Sequence, residues 1–351
     1  MLDLTLGDDP EAAEPVGHLR DVVVALTGDR SGGATTIPPA ADGQRDVLGG
    51  QLEGTARTLH MLWQDYKQII EAGRGGTGDA GDAPANLGRP AFAREALRLR
   101  ATVEGATAAL CTAAELLDDA DRSDPSEADR QLAALLVPAI RGLVAQRGAE
   151  ALAIGTRLAP PFPAGRTATT EELRLAFGPA RTPRVGGALH DPPGQSIDGL
   201  LELGFRRGRG AALRALRDRL AETAARARLA GVPDASANRV EVAAEHVVEV
   251  GAKLTLAYLE GDETRVRPHG PDFLDALGLL VVAWRWLALA AAAEPLAGND
   301  DRPADDRAFA RGLLAAADYW FGWELPRLGP LLAACKRQER PWVGLPPGAF
   351  G

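Results

Sequence analysis

The feature that most constrains this chain is an apolar run at residues 273–293, FLDALGLLVVAWRWLALAAAA. Its length would suffice to cross a bilayer, but it contains Asp275 and Arg285, and a charge deep in a membrane is costly. Its alanine- and leucine-rich composition favours a helix, and a helix that is apolar on most sides has to be surrounded by other protein. The run therefore predicts the central helix of a helical bundle and no membrane span.

Two amphipathic patterns flank the central run and predict helices that pack around it. In both patterns apolar residues recur at intervals of three and four, which places them on one helix face. Because alternating β-branched patterns are almost absent from the sequence, we predict an all-α fold. The first pattern consists of Val240, Ala244, Val247, Gly251, Leu254 and Tyr258, and the second of Phe309, Leu313, Ala316, Trp320 and Trp323.

The remaining helix patterns divide the chain into two consecutive bundles. The stretch GVPDAS at 231–236 is a stop-and-start signal and marks the boundary between them. Pro138 is expected to kink the helix that contains it. Helices are predicted over about 45–72, 90–120, 124–158, 171–177 and 197–230, the last one interrupted by GFRRGRG. The resulting units are an irregular segment at 1–43, a bundle at 44–230, a second small bundle at 231–337 and a tail at 338–351.

Composition excludes several classes of function. The formal net charge of −9 argues against general binding to nucleic acid or to an acidic membrane. The two cysteines lie far apart and the five histidines are scattered, so we expect no metal site and no disulfide framework. The stretch GRGGTG at 73–78 follows a helix and not a strand, which argues against a dinucleotide site. The acidic N-terminus lacks the apolar core of a secretory signal, which predicts a cytoplasmic protein.

A compact basic cluster, RRGRG at 206–210, is the clearest candidate for a phosphate site. Guanidinium groups of Arg206, Arg207 and Arg209 could hold the phosphates of a nucleotide or of CoA. The other interpretation is a solvated break in the helix, which the overall acidity of the chain favours. Both interpretations stay open at this point.

Six stretches of the predicted helices carry a resemblance to a known family. In the first bundle they are QRDVLGGQLEGTARTLHMLWQDYKQIIEAGR (44–74), REALRLRATVEGATAALCTAAELLDDA (94–120), ALLVPAIRGLVAQRGAEALAIGTRL (134–158) and SIDGLLELGFRRGRGAALRAL (196–216). In the second they are PDFLDALGLLVVAWRWLALAAAA (271–293) and FARGLLAAADYWFGWELPRLGPLLAA (309–334). The first four resemble the C-terminal four-helix bundle of acyl-CoA dehydrogenases. The last two resemble the extra C-terminal domain of the methylthiopropionyl-CoA dehydrogenase-like branch. The resemblance covers roughly residues 44–335 and implies association through the bundle.

The resemblance also implies where catalytic groups should stand. In the family a glutamate before the fourth helix removes the α-proton of an acyl-CoA while FAD accepts a hydride. That position falls on Pro192 here, and Asp191 beside it is a displaced candidate base that is one methylene shorter. The loop that should contact flavin reads LAPPFPAG (158–165), in which the prolines lack amide donors.

The start of the predicted first helix carries a further implied contact. Arg45 stands where the family can reach the flavin of a neighbouring subunit, although a solvated first-turn arginine is the alternative. About forty residues precede Arg45, too few for the N-terminal and middle domains that the resemblance implies.

Three hypotheses follow from these features. The first is a divergent, truncated acyl-CoA dehydrogenase homologue that lacks independent activity and a cofactor. It would be a helical partner or scaffold in a homo- or hetero-oligomer, paired with a full-length dehydrogenase. The second is an FAD-dependent acyl-CoA dehydrogenase of fatty acid metabolism whose site, with Asp191 as base, is completed across an oligomer interface. The third is a bundle that binds CoA through Arg206, Arg207 and Arg209.

Overall fold

A computed structural model describes residues 90–119, 127–158, 200–341 and 343–346, together with scattered positions between 48 and 70. The described positions between 48 and 70 are helical, as predicted, and Leu59 and Leu62 among them are buried. No strand occurs in the ranges just given, so the predicted all-α fold is confirmed. The segment 1–43 and the short helix predicted at 171–177 lie outside the described residues.

The described helices follow the predicted order. In chain order they are α1 (Pro90–Asp119), α2 (Glu127–Leu158), a first π-helical segment (Leu200–Arg207), α3 (Ala211–Leu229), α4 (Asp234–Leu259), α5 (Glu263–Val266), α6 (Gly270–Ala297), α7 (Ala304–Tyr319), a second π-helical segment (Trp320–Glu324) and α8 (Leu328–Arg337). Short 3-10 turns at Arg267–His269 and Leu325–Arg327 precede α6 and α8.

The apolar run forms α6, and this helix lies in the core as predicted. The stretch Glu263–Ala297 is long and apolar enough to cross a membrane by composition, but 78% of its apolar window is buried inside the protein. It packs against α1, α2, α3, α4, α7 and α8. Its two tryptophans can be buried because their indole N–H groups find acceptors. Trp286 donates to the carbonyl of Ala101, and Trp284 donates to the hydroxyl of Thr223.

Two glycines allow α6 to approach its neighbours closely. A Cβ at Gly278 would lie 2.8 Å from the carbonyl oxygen of Ala139, one residue after Pro138 in α2. A Cβ at Gly105 of α1 would lie 2.3 Å from the indole nitrogen of Trp286. Both spacings are too short for a real side chain, so the packing of α6 between α1 and α2 depends on these two residues lacking one.

Glycines with a left-handed backbone conformation terminate α3 and α4. Gly231 (φ 98) follows α3, and the N–H of Val232 reaches back to the carbonyl of Ala227. Gly261 (φ 89) follows α4 with the same arrangement between Asp262 and Ala257. These are Schellman ends, in which a left-handed glycine terminates the helix, and they explain why GVPDAS ends α3 where predicted.

The amphipathic pattern predicted for α7 is confirmed at its centre and wrong at its ends. Leu313, Ala316 and Trp320 are buried, but Phe309 is 41% exposed and Trp323 is 60% exposed. The second π-helical segment explains the exposure of Trp323. Its extra residue per turn changes the angular spacing, so Trp323, three residues after Trp320, rotates outward, while Glu324, four residues after Trp320, stays on the buried side.

The helices on both sides of residue 231 contribute to one hydrophobic core. Leu135 and Ile140 of α2 belong to the same cluster as Val247 of α4 and Trp320 of the second π-helical segment. The division into units at 44–230 and 231–337 stays a prediction.

Candidate functional site

A cluster of charged side chains lies where α1, α2 and the second π-helical segment meet, and Arg147 and Glu324 are buried at its centre. We call it the arginine–glutamate cluster; its members are Arg98, Arg147, Glu150, Glu324 and Arg327. Charged side chains are almost never fully buried unless they are paired, so the buried pair of Arg147 and Glu324 is the most unusual polar feature of the described residues.

Glu324 is the centre of the cluster. Its Oε1 lies 3.3 Å from Nε of Arg98, and its Oε2 lies 3.6 Å from Nε of Arg147 and 3.0 Å from Nη1 of Arg327. The hydroxyl of Tyr319 also donates to Oε1 at 3.3 Å. The carboxylate therefore contacts side chains from α1, α2, α7 and the 3-10 turn, and it joins four parts of the fold at one point.

Glu150 forms the outer half of the cluster and shares the same arginines. Its Oε2 accepts hydrogen bonds from Arg98 and, at 2.9 Å, from Nη1 of Arg147, and it lies 3.6 Å from Nη1 of Arg327. Burial alone would raise the pKa of Glu150, but these arginines together hold the pKa below its ordinary value. Three guanidinium groups thus face two carboxylates, and Glu95, 3.8 Å from Arg98, adds a third.

The chemistry available to this cluster is structural. Arginine stays protonated in proteins and cannot act as a general base. Glu324 accepts hydrogen bonds from Tyr319 and Arg327 and lies beside the guanidinium groups of Arg98 and Arg147, so the protein's own cations and donors surround it. Removing one partner of a buried ion pair costs about 3–5 kcal/mol because a charge is left uncompensated. The cluster is therefore a clasp that fixes the C-terminal π-helical segment against α1 and α2.

An aromatic rim covers one side of the cluster. Trp323 stacks on Tyr319 with ring centroids 6.2 Å apart, and the guanidinium of Arg94 lies 5.8 Å from the centroid of Trp323. Burial, followed by the nearby charge of Glu324, raises the pKa of Tyr319 to about 12, so the phenol stays a hydrogen-bond donor at neutral pH.

A second buried carboxylate, Glu104, lies further along α1. Nε of Arg100 contacts both of its oxygens at 3.0 Å, one helical turn away. Burial raises the pKa of Glu104, while Arg100 opposes the shift. The guanidinium of Arg100 also lies 5.3 Å from the ring centroid of Phe309. The pair of Arg100 and Glu104 helps to attach α7 to α1. The arginine–glutamate cluster has a similar role nearer the N-terminal end of α1.

Two arginines of the predicted phosphate cluster can be located. Arg206 and Arg209 are exposed at the junction between the first π-helical segment and α3, and Arg209 has a φ of 45°. The N–H groups of Arg209, Gly210 and Ala211 are bonded to the carbonyls of Phe205, Gly204 and Gly208. These three amides are therefore already hydrogen-bonded within the helix junction. A phosphate would have to be held by side chains alone. Binding of CoA or a nucleotide here stays a prediction.

The other predicted site residues fall outside the described part of the chain. Asp191, Pro192 and Arg45 are not described, nor is the side chain of Arg207. Their assignment as displaced base, lost base position, flavin contact and phosphate ligand therefore stays at the level of the sequence.

Cysteine and metal chemistry find little support in the described residues. No group of three or more histidine, cysteine, aspartate or glutamate side chains there could hold a metal ion. Burial raises the pKa of the Cys111 thiol to about 11 and that of Cys335 to about 12. The Cys335 thiol contacts the carbonyl of His269 at 3.5 Å. Both thiols are thus held in the unreactive protonated form.

The arginine–glutamate cluster is absent from the sequence-based predictions. Its members are distant in sequence, and arginine and glutamate are common on exposed helix faces. One signal was available: Glu324 interrupts the aromatic stretch WFGWELPR at a place where the helical period alone favours an apolar residue. A lone acid in such a stretch predicts a buried partner.

Comparison with known proteins supports the resemblance for the second half of the chain. Residues 212–346 match the family described as Acetyl-CoA dehydrogenase C-terminal like. No curated protein matches the chain. The matched range runs from α3 to the end of the described chain and contains Glu324 and Arg327, whereas the α1 and α2 members of the cluster precede it. Over residues 212–346 the chain is similar to that family, and the residues before 212 lie outside the match.

Proposed function

We propose that this protein is a helical partner or scaffold subunit of a cytoplasmic acyl-CoA dehydrogenase-type assembly, with impaired catalysis and no flavin of its own. The observation that carries the proposal is the use made of its buried charges. Glu324 and Glu104 are each held by arginines of the same chain between packed helices, where they serve attachment and not proton transfer. The match to a C-terminal-like helical domain supports the same assignment.

Two features of the sequence add support. Pro192 occupies the position at which the resemblance places the catalytic glutamate, and a proline has no group that can remove a proton. The stretch APPFP at 159–163 replaces amide donors with proline rings where flavin contact is implied. In the described junction at 206–211, the backbone amides of Arg209, Gly210 and Ala211 are likewise bonded to carbonyls and are not free for a cofactor phosphate.

A turnover assay tests the catalytic part of this proposal. The full chain is incubated with added FAD, an artificial electron acceptor and saturated acyl-CoA thioesters of short, medium and long chain length. We expect no acyl-CoA-dependent reduction of the acceptor, whereas a full-length acyl-CoA dehydrogenase reduces it under the same conditions. Turnover by the chain alone contradicts the proposal; if Asp191→Asn then abolishes that turnover, the protein is an FAD-dependent dehydrogenase with a displaced base.

Co-purification tests the association part. The chain is co-expressed with the full-length acyl-CoA dehydrogenases of its own genome, and each pair is separated by size-exclusion chromatography with light scattering. We expect one dehydrogenase to elute with the chain at the summed mass of a complex. If all of them elute separately from it at micromolar concentrations, the chain is not their partner subunit.

Calorimetry separates this proposal from a CoA-binding bundle. Because the N–H groups at 209–211 are bonded to carbonyls, we expect titration with free CoA to release no heat above dilution. Measurable binding that is lost in the double variant Arg206→Ala and Arg209→Ala would instead assign the exposed arginines to the CoA phosphates.

A further inference from the structure

The outward face of α4 carries an exposed stripe with an ordered mixture of apolar and charged residues. At 100° per residue its members lie within about 40° of one line along the helix. Val242 is 70% exposed and Leu256 is 60% exposed, although the opposite face of the same helix is buried in the core. We call this set the α4 stripe; its members are Asn238, Val242, Glu245, Glu249, Lys253, Leu256 and Glu260.

The α4 stripe is symmetric about Glu249. Val242 and Leu256 lie seven residues to either side of it, and Glu245 and Lys253 lie four residues to either side. If two copies of α4 are laid antiparallel with Glu249 at the centre, each Val242 meets the Leu256 of the other copy. Each Glu245 then meets a Lys253 of opposite charge. Asn238 and Glu260, eleven residues to either side, also meet as an amide and a carboxylate.

We propose that the α4 stripe is a homodimer interface whose occupant is the antiparallel α4 of a second copy of this chain. An interface around a two-fold axis uses the same patch on both subunits, so it has to be complementary to itself. The α4 stripe meets that requirement twice, once in its apolar pair and once in its charged pair. The spacing of three and four along the stripe is that of helices that pack side by side.

The central Glu249 does not place an uncompensated charge on the axis. Its Oε1 accepts a hydrogen bond from Nζ of Lys336 at 2.5 Å, and this ion pair lowers the pKa of Glu249. Lys253 of the stripe in turn donates to the carbonyl of Lys336 at 2.5 Å, which holds its ammonium next to the C-terminal end of α8. Two Glu249 carboxylates at the axis are thus accompanied by two Lys336 ammonium groups from α8.

The dimer is expected to dissociate on dilution. Val242 and Leu256 span four turns, about 21 Å of helix, which is a short contact for a stable interface. Each charge reversal acts twice because of the symmetry. Converting two attractive pairs into two repulsive ones is expected to raise the dissociation constant of the dimer about tenfold.

Analytical ultracentrifugation of the full chain over a range of concentrations tests the proposal. We expect a monomer–dimer equilibrium that Glu245→Lys and Lys253→Glu each weaken, and that the double variant restores because the opposite charges face each other again. Glu222→Lys, at an acid on α3 that is also exposed, is the matched control and should leave the equilibrium unchanged. A monomer at all concentrations, or a dimer that both single reversals leave intact, overturns the proposal.

Disulfide trapping tests the register. A cysteine on the axis meets its own copy, so Glu249→Cys should form a covalent dimer under mild oxidation. Glu245→Cys places the two sulfurs eight residues apart along the helices, about 12 Å, and should stay monomeric on a denaturing gel. The native thiols should not interfere, since Cys335 is buried and Cys111 has a pKa raised to about 11. Equal trapping of both variants contradicts the register. The helix content of every variant is checked by circular dichroism.

The α4 interface deepens the association part of the proposed function and rests on that part alone. The α4 interface and the proposed function can fail separately. A dimer that follows the predicted charge pattern but reduces an electron acceptor overturns the absence of catalysis, and a monomer that binds a full-length dehydrogenase overturns the α4 interface alone.

Discussion

The closest approach between two helices in this fold makes a sharp prediction. Gly278→Ala adds a methyl group to α6 at a point 2.8 Å from the carbonyl oxygen of Ala139 and 2.9 Å from Cβ of Leu143. Both neighbours are close to the backbone of α2, so neither can rotate away. The two helices would have to separate by several tenths of an ångström along a buried interface.

The magnitude follows from two opposing effects. Overpacking of a core typically lowers the free energy of unfolding by about 1–3 kcal/mol, and we expect about 3 kcal/mol here because the closest neighbour is a backbone atom. Alanine in place of glycine inside a helix raises the free energy of unfolding by about 1 kcal/mol. The net loss in the free energy of unfolding is therefore about 2 kcal/mol, which lowers Tm by roughly 4–8 °C on the scaling for domains of 150–250 residues.

Urea unfolding followed by circular dichroism measures this change. Gly329→Ala is the matched control, because a Cβ at this helical position in α8 has nothing within 4 Å, and its stability should stay the same or rise slightly. If Gly278→Ala is as stable as the wild type while Gly329→Ala behaves as expected, the close contact between α6 and α2 is wrong.

Two further predictions concern charge. Glu324→Gln should lower the free energy of unfolding by about 3 kcal/mol because buried guanidinium groups lose their counter-charge, whereas Glu263→Gln, in an exposed pair with Arg267, should change it by less than about 1 kcal/mol. If chemical denaturation shows equal losses in the free energy of unfolding for the two variants, the stabilising role of the arginine–glutamate cluster is refuted. His269 should make the protein less stable in mild acid, because burial lowers its pKa although Asp272 opposes the shift. Its contribution is complete above the unfolded pKa of about 6.5 and is lost as pH falls through the folded-state pKa. The fall in Tm between pH 7 and pH 5 should be shallower in His269→Gln than in the control His246→Gln; parallel curves would contradict this.

The parts of the fold that could be predicted are those set by local pattern. The burial of α6 followed from its composition, and the end of α3 followed from Gly231, whose φ of 98° few other residues adopt. The exposure of Trp323 could not be predicted, since a π-helical turn changes the helical period without a clear sequence signal.

The arginine–glutamate cluster shows why the site was harder to predict than the helices. Arg98 and Glu324 are separated by more than two hundred residues, and each belongs to a helix in which a charged residue is ordinary. Only the packing of α7 against α1 brings them to 3.3 Å. The two glycines that set the packing of α6 against α1 and α2, Gly105 and Gly278, also have no special backbone angle, and their importance comes entirely from the neighbouring helix.

The central proposal is that this helical protein has no flavin of its own. A visible absorbance spectrum of the full chain, purified from its native host without added cofactor, tests it most directly. The account predicts no flavin band in fractions that contain the chain alone, with any yellow colour following a co-purifying full-length dehydrogenase on the gel. A flavin band near one equivalent per chain, in fractions that contain no other protein, would contradict it.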